Sequence, residues 1–300
     1  MPIKRRILMK ALPSMLWYDE IGSWDEQHKY VINEVLFWEE TKFQDVAIFV
    51  TEEYGKMLVT DGSTQSAEED EYIYHESIVH PGLIAHPGPH RVLVIGGGEG
   101  AVIREVFRHP TIERVVMVDI DAELVEQCKK FLPEWHQGAF QDPRLELVFA
   151  DGKDFIAKTK ERFDCIIVDC GDAREEGPAL TLYTEDFYRT ARQRLTASGL
   201  LVVQAMELSG LDCANHVTIH KALQRIFRHV NSYAAFVPSF WATWGFIVAN
   251  DTVDVSQIPS REVDKILQAR KLAPVLRYYD GLRHSHMFTL PKDVKAGSRG

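Results

Sequence analysis

No apolar run in this 300-residue sequence approaches the roughly 18 residues that a helix needs to cross a bilayer, so a helical membrane protein is not expected. Basic residues are the minority, 34 Lys and Arg against 44 Asp and Glu. At a net charge of −10 the chain lacks the positive footprint that nucleic-acid binding requires. The acidic excess suits a cationic ligand, although solubility alone gives the same sign. Cysteine is scarce: Cys128, Cys165, Cys170 and Cys213 show no C-x-x-C spacing and lie in segments that read as core or helix. They predict buried free thiols in a reducing, cytoplasmic setting. The basic and then apolar start is interrupted by Lys10 and Pro13 and has no small-residue cleavage site, so no secretory signal is expected. The twelve histidines lack ligand-like spacing, which predicts no metal; His284 and His286 are expected on a surface strand or loop. Internal repeats and low-complexity linkers are absent as well.

What is present falls into two textures. Up to about residue 65 the chain alternates in the manner of β-strands with short turns. Val46–Val50 and Lys56–Thr60, joined across Glu53-Tyr54-Gly55, predict a hairpin, and Asp61-Gly62 a further turn. From residue 66 to 300 the rhythm changes. Apolar runs at Arg91–Ile95, Arg114–Ile120, Leu145–Ala150, Phe163–Asp169 and Leu200–Gln204 alternate with helical patterns. That order predicts an α/β domain, a parallel doubly wound sheet covered on both faces, behind a small β-rich N-terminal domain. Ser232–Val237 and Phe246–Asn250 are expected to close the sheet as a hairpin-like pair, and 260–300 to form a helix and an irregular tail.

Gly96-Gly-Gly-Glu-Gly100 sits between the first of these strands and its helix. Ligands of such sheets bind at the carboxyl ends of the strands. Gly96, Gly98 and Ala101 satisfy a dinucleotide fingerprint, so a nicotinamide site is one reading. Asp119, about 20 residues on and at a strand end, is placed to accept hydrogen bonds from ribose hydroxyls. Asp151-Gly152 can set a carboxylate and open backbone beside an adenine. The bland alternative is that both aspartates only cap the next helices. Glu99 decides between ligands: a carboxylate here repels a pyrophosphate and attracts a sulfonium or ammonium group, favouring an S-adenosylmethionine-type cofactor over NAD. A second acidic cluster, Asp169-Cys-Gly-Asp172, ends the fourth strand and leads into a Gly- and Pro-containing segment to Tyr183 that could act as a lid. The acidic run Ser66–Glu76 reads, taken alone, as a solvated helix face.

Nearly the whole chain resembles the aminopropyltransferases that make polyamines, the spermidine, spermine and thermospermine synthases. The likeness is carried by Phe43-Gln-Asp45, Asp61-Gly-Ser-Thr-Gln65, Asp70–Glu76, Gly96–Gly100, Val118-Asp-Ile-Asp121, Asp169–Asp172, Gly177-Pro-Ala179, Leu182-Tyr183 and Pro238-Ser-Phe240. Tyr74-His75-Glu76, Glu99 rather than Asp, Pro133–Phe140 and Phe240–Gly245 look most like the thermospermine synthase and thermophile agmatine/triamine branches. The resemblance implies decarboxylated S-adenosylmethionine as co-substrate. It implies that Gln44 and Glu99 hold the aminopropyl arm with Asp169 beside the reacting centre. Asp119 takes the ribose, Asp151 and Gly152 the adenine, and Gly96, Gly98 and Ile120 belong to the same cofactor site. Gln65, Tyr74, His75, Asp169, Asp172, Phe240 and Trp244 meet the acceptor amine, with Asp169 and Tyr74 catalytic. A homodimer or homotetramer is implied too.

Two departures bear on the acceptor. Asp172-Ala173 replaces the family's frequent Asp-Pro, which predicts a looser lid that keeps both carboxylates. Phe240 stands where spermidine synthases commonly carry Tyr; the lost hydroxyl weakens the case for putrescine, and Trp241 and Trp244 could line a longer channel for spermidine. Putrescine or agmatine as acceptor, a methyltransferase and a turnover-free binding protein remain the rival readings.

Overall fold

The structure is a computed structural model and describes residues 16–23, 26–171, 178–210 and 212–294; the statements below concern these. Asp172, residues 173–177 of the expected lid and the N-terminal basic segment lie outside the described residues. Among them no helix is long and apolar enough to cross a membrane. The chain divides after Glu69 into two compact units.

The first unit is all β. Strands β1 (Leu16–Ser23) and β2 (Glu26–Ile32) form an antiparallel pair. β3 (Glu34–Glu40), β4 (Asp45–Thr51), β5 (Gly55–Thr60) and β6 (Ser63–Ala67) form an antiparallel sheet in sequence order. Period-two alternation buries Ala47, Phe49, Met57 and Val59 with Tyr18 and Tyr30 in one small core. β6 continues to Ala67, two residues past the division read from the sequence.

The second unit holds a seven-stranded sheet in the order β12-β13-β11-β10-β7-β8-β9. Its strands are β7 (Arg91–Gly96), β8 (Arg114–Asp119), β9 (Leu145–Phe149), β10 (Phe163–Asp169), β11 (Leu195–Glu207), β12 (His229–Val237) and β13 (Ala242–Asn250). β11 to β7 and on to β9 pair in parallel; β12 and β13 close the edge antiparallel, as the sequence predicts. The central strands are apolar throughout because both faces are covered. Val92, Val94, Met117, Ile167 and Val202 face one core, while Leu93, Ile95, Val118, Ile166 and Val203 face the other.

Helix α1 (Glu71–Ala85) lies in the first of these cores, with α2 (Ala101–Phe107) beside it. Asp121 caps α3 (Ala122–Phe131), which precedes the short α4 (Pro133–His136). Asp151 caps α5 (Gly152–Lys158) and Thr184 caps α6 (Glu185–Gln193). Helices α7 (Ala214–Gln224), α8 (Ser260–Ala269) and α9 (Gly281–Met287) complete the unit.

Three expectations need correction. The acidic run is not a solvated face: Asp70, Glu71 and Glu76 are buried. Each is compensated, Asp70 by the backbone N–H and hydroxyl of Ser239, Glu71 by Arg104, and Glu76 by the backbone N–H groups of Arg277, Tyr278 and Tyr279. The segment Gly281–Met287 is helical rather than an irregular tail: His284 and His286 lie in α9, where buried His284 bonds the Tyr279 hydroxyl and the Val255 carbonyl. Of the free cysteines, Cys128 and Cys165 are buried but Cys170 and Cys213 are only partly so.

Glu76→Ala leaves three amide donors without their acceptor, and unpaired buried donors cost about 1–3 kcal/mol each. We expect a loss on the order of 3 kcal/mol in urea unfolding, with Glu76→Gln milder.

Candidate active site

Chain order reverses between β7 and β10, the position at which open α/β sheets form a ligand crevice. Gly96 pairs in register with Asp169. At φ +86° a side chain on Gly96 would set its Cβ 2.0 Å from the Asp169 carbonyl oxygen, so only glycine allows this approach. The Gly97 amide then donates to that oxygen at 2.9 Å. Gly98 lies against Asp119: a Cβ there would stand 3.2 Å from Asp119 Oδ2. The loop is thus stitched to one carboxylate residue and packed on another.

Asp169 is reached from α1. The Tyr74 hydroxyl donates to Asp169 Oδ1 at 2.6 Å. Burial pushes the Asp169 carboxyl up to about 6, with the Glu99 charge adding to it; His75 and the Tyr74 hydrogen bond oppose. The Tyr74 phenol is itself held well above its usual range, first by burial and then by Asp169. Asp119 is pushed up to about 7 by burial, with Asp121, Glu99 and Asp169 adding to it, although its Oδ1 accepts the Asp121 amide at 2.9 Å. Three carboxylates therefore share one poorly hydrated crevice and feel one another's charge. Such a site favours cations.

His75, expected to meet the acceptor, has both ring nitrogens engaged by carboxylates. The ring is buried, Nδ1 meeting Glu71 and Nε2 meeting Glu99 Oε1 at 3.0 Å. Burial alone would lower its proton affinity; the hydrogen bonds and charges of Glu71 and Glu99 overcome this and raise it to about 10.

Asp151 matches the bland alternative, since its Oδ1 caps α5 through the Asp154 amide at 3.0 Å. Asp119 does not, because Asp121 is the cap of α3. Ile120 is half-buried between them, and Gly152 is buried. Phe240 stacks edge-on against Tyr74 at 5.8 Å and against Trp244 at 5.0 Å. Trp241 differs from its neighbours in being 57 % exposed, on a left-handed backbone at φ +55°. Gln44 and Gln65 belong to the first unit; the Gln44 carbonyl accepts from Thr41, and the Gln65 amide donates to Ser63 O at 3.1 Å. Asp172 lies outside the described residues.

Gln204 went unrecognised in the sequence. Its amide nitrogen donates to Cys170 O and Tyr183 Oη, both at 2.8 Å, and its oxygen accepts from Trp244 Nε1 and the Met206 amide. It thereby ties the residue after Asp169 to β11 and β13. A lone amide ending the apolar run Leu200–Gln204 was the available signal.

A carboxyl whose proton affinity rises on folding stabilises the fold while protonated, and that contribution is lost as pH rises through its folded value. For Asp119 the loss begins near the ordinary aspartate value of about 4 and is complete by about pH 7. Asp119→Asn is therefore expected to match the wild type in melting temperature near pH 4, to exceed it increasingly up to pH 7, and to keep a constant advantage above that. A pH-independent difference in thermal melts would contradict the assignment.

Residues 71–257 match the spermine/spermidine synthase domain, and residues 16–68 the spermidine synthase tetramerisation domain. The chain is 44 % identical over 278 residues to polyamine aminopropyltransferase 2 of Hyperthermus butylicus, covering 92 % of this chain and 90 % of that one. It is 41 % identical over 271 residues to polyamine aminopropyltransferase 2 of Pseudomonas aeruginosa, covering 90 % and 77 %. A crystal structure of spermidine synthase in complex with the transition-state analogue AdoDATO matches with a TM-score of 0.88 at 29 % identity, covering 95 % of each chain. Spermidine synthase from Thermotoga maritima matches with a TM-score of 0.86 at the same identity and coverage. With a glycine loop locked onto a buried acidic crevice, the chain belongs to the spermine/spermidine synthase family and is a polyamine aminopropyltransferase.

Proposed function

We propose that the chain transfers the aminopropyl group of decarboxylated S-adenosylmethionine to spermidine, giving thermospermine and 5'-methylthioadenosine. The observation that carries the chemistry is the Asp169 carboxylate, held by Tyr74 and raised to about 6 in a crevice shared with Glu99. An amine acceptor is protonated in water and attacks only when neutral. A carboxylate with this proton affinity is a competent base near neutral pH. The acceptor nitrogen gives up a proton to Asp169 and directs its lone pair at the methylene next to sulfur. The new C–N bond forms as the C–S bond breaks, and that electron pair leaves on sulfur as a neutral thioether. Tyr74 keeps Asp169 aimed, and positioning of the two substrates supplies much of the acceleration.

Within this reading Glu99 takes the ammonium of the aminopropyl arm, Asp119 the ribose, and Asp151 with Gly152 the adenine; Gly96, Gly98 and Ile120 line the nucleoside site. The roles that family likeness gives Gln44 toward the arm, and Gln65 and Asp172 toward the acceptor, belong to the same proposal. Phe240 and Trp244 form an apolar wall beside Tyr74. A wall without a hydroxyl suits the methylene stretch of a triamine better than the terminal ammonium of putrescine. Assembly as a homodimer or homotetramer in the cytoplasm completes the proposal, supported by the tetramerisation-domain match.

Two experiments test it. Asp169→Asn is expected to lower kcat by roughly 10²–10⁴-fold while donor binding persists; undiminished turnover would remove Asp169 as the base. Steady-state rates with putrescine, agmatine, spermidine and norspermidine are expected to be highest with spermidine, with a product that co-elutes with thermospermine. A clear preference for putrescine would overturn the argument from Phe240.

A further inference from the structure

We infer that His75 is a positioning residue for the transfer, an imidazolium clamped from behind by Glu71 and Arg104 that holds the Glu99 carboxylate at the glycine loop. The inference rests on the reading of Glu99 as the group that takes the donor's ammonium arm.

Both nitrogens of the His75 ring face only acceptors. Nδ1 lies 2.8 Å from the Glu71 carbonyl oxygen and 2.7 Å from Glu71 Oε2, and Nε2 lies 3.0 Å from Glu99 Oε1. A neutral imidazole has one N–H and would present a lone pair to one of these oxygens. The arrangement is satisfied only if both nitrogens donate, which makes the ring a cation.

The cation is fixed from behind. Arg104 meets both oxygens of Glu71 at 2.9 Å, and two further donors go to Trp135 O and Glu105 Oε1. A bidentate guanidinium–carboxylate pair resists rotation, so Glu71 cannot follow a tilting ring. Charges alternate along a buried row from the crevice inward: Glu99, His75, Glu71, Arg104, Glu105. Asp70 on the same helix and Asp169 across the crevice also feel the ring's charge, and the Tyr74 ring packs edge-on to it at 5.2 Å.

Two consequences follow for catalysis. Glu99 is denied the freedom to swing, with one oxygen committed to His75 and the other left for the donor. Asp169 also has a cation nearby that partly cancels Glu99, which keeps the base ionised at neutral pH rather than protonated. His75 thus acts on the reaction through Glu99 and Asp169.

The test has one arm that needs no turnover. In ¹⁵N spectra of the ligand-free protein, with the His75 signals identified by their loss in His75→Gln, both ring nitrogens are expected to stay protonated from pH 6 to pH 9. A neutral ring titrating near 6.5 would overturn the inference, whatever group the enzyme transfers. In the kinetic arm, His75→Gln is expected to raise the KM for decarboxylated S-adenosylmethionine about tenfold with a smaller effect on kcat. It should also move the acidic limb of kcat/KM upward by about one pH unit, as loss of a nearby opposite charge does. In a Glu99→Gln background the same substitution is expected to leave that KM nearly unchanged. Equal effects in both backgrounds would mean that His75 serves only packing and would contradict the inference. Thermal melts of each variant at the assay temperature identify any loss due to unfolding, and Glu71→Gln, which keeps residue 75 intact, is expected to shift the limb in the same direction.

Discussion

The hydrogen bond from Tyr74 to Asp169 joins the buried helix α1 to the end of β10, and the rest of the crevice is arranged around it. It requires α1 to lie in the core against the sheet, which is why nearly every residue of that helix is buried, polar ones included. It also requires the glycine loop to pass within backbone contact of Asp169. Any side chain at Gly96 would push the loop away and move Glu99 with it. One short contact therefore ties together the helix, the central strands and the loop.

Burying several carboxylates together is costly unless cations accompany them. Arg104, and His75 with its raised proton affinity, supply countercharge on the inner side. The outer side keeps an excess of negative charge, visible in the raised proton affinities of Asp119 and Asp169. In the account developed above that excess is relieved by substrate, a sulfonium carrying an ammonium and a polyamine. The free protein stores unfavourable electrostatics where its ligands bind, the usual relation between a polar active site and stability.

Much of this was legible in the sequence. Apolar runs such as Arg91–Ile95 and Phe163–Asp169 announced parallel strands, since both faces of such strands are covered. Glu99, Asp119 and Asp169 stood out as carboxylates at strand ends, where open sheets place their ligands. What stayed hidden depends on partners distant in the chain. Glu71 and Glu76 looked solvated because Arg104 and the amides of 277–279 are far away in sequence. Nothing local shows that both ring nitrogens of His75 are engaged, since Glu99 lies 24 residues away. The left-handed backbone and exposure of Trp241 have no local signal in the run Phe240–Gly245. Gln204 bonds to four separate groups that only the fold assembles.

The central claim is that Asp169 is a half-buried base whose proton affinity is set by its surroundings rather than by its own chemistry. The most direct measurement is the ¹³C carboxyl titration of Asp169 in the ligand-free protein, identified by its absence in Asp169→Asn. The account predicts a midpoint near 6, moving down when the neighbouring charge is removed in Glu99→Gln. A midpoint near the usual aspartate value of about 4, indifferent to Glu99, would contradict it.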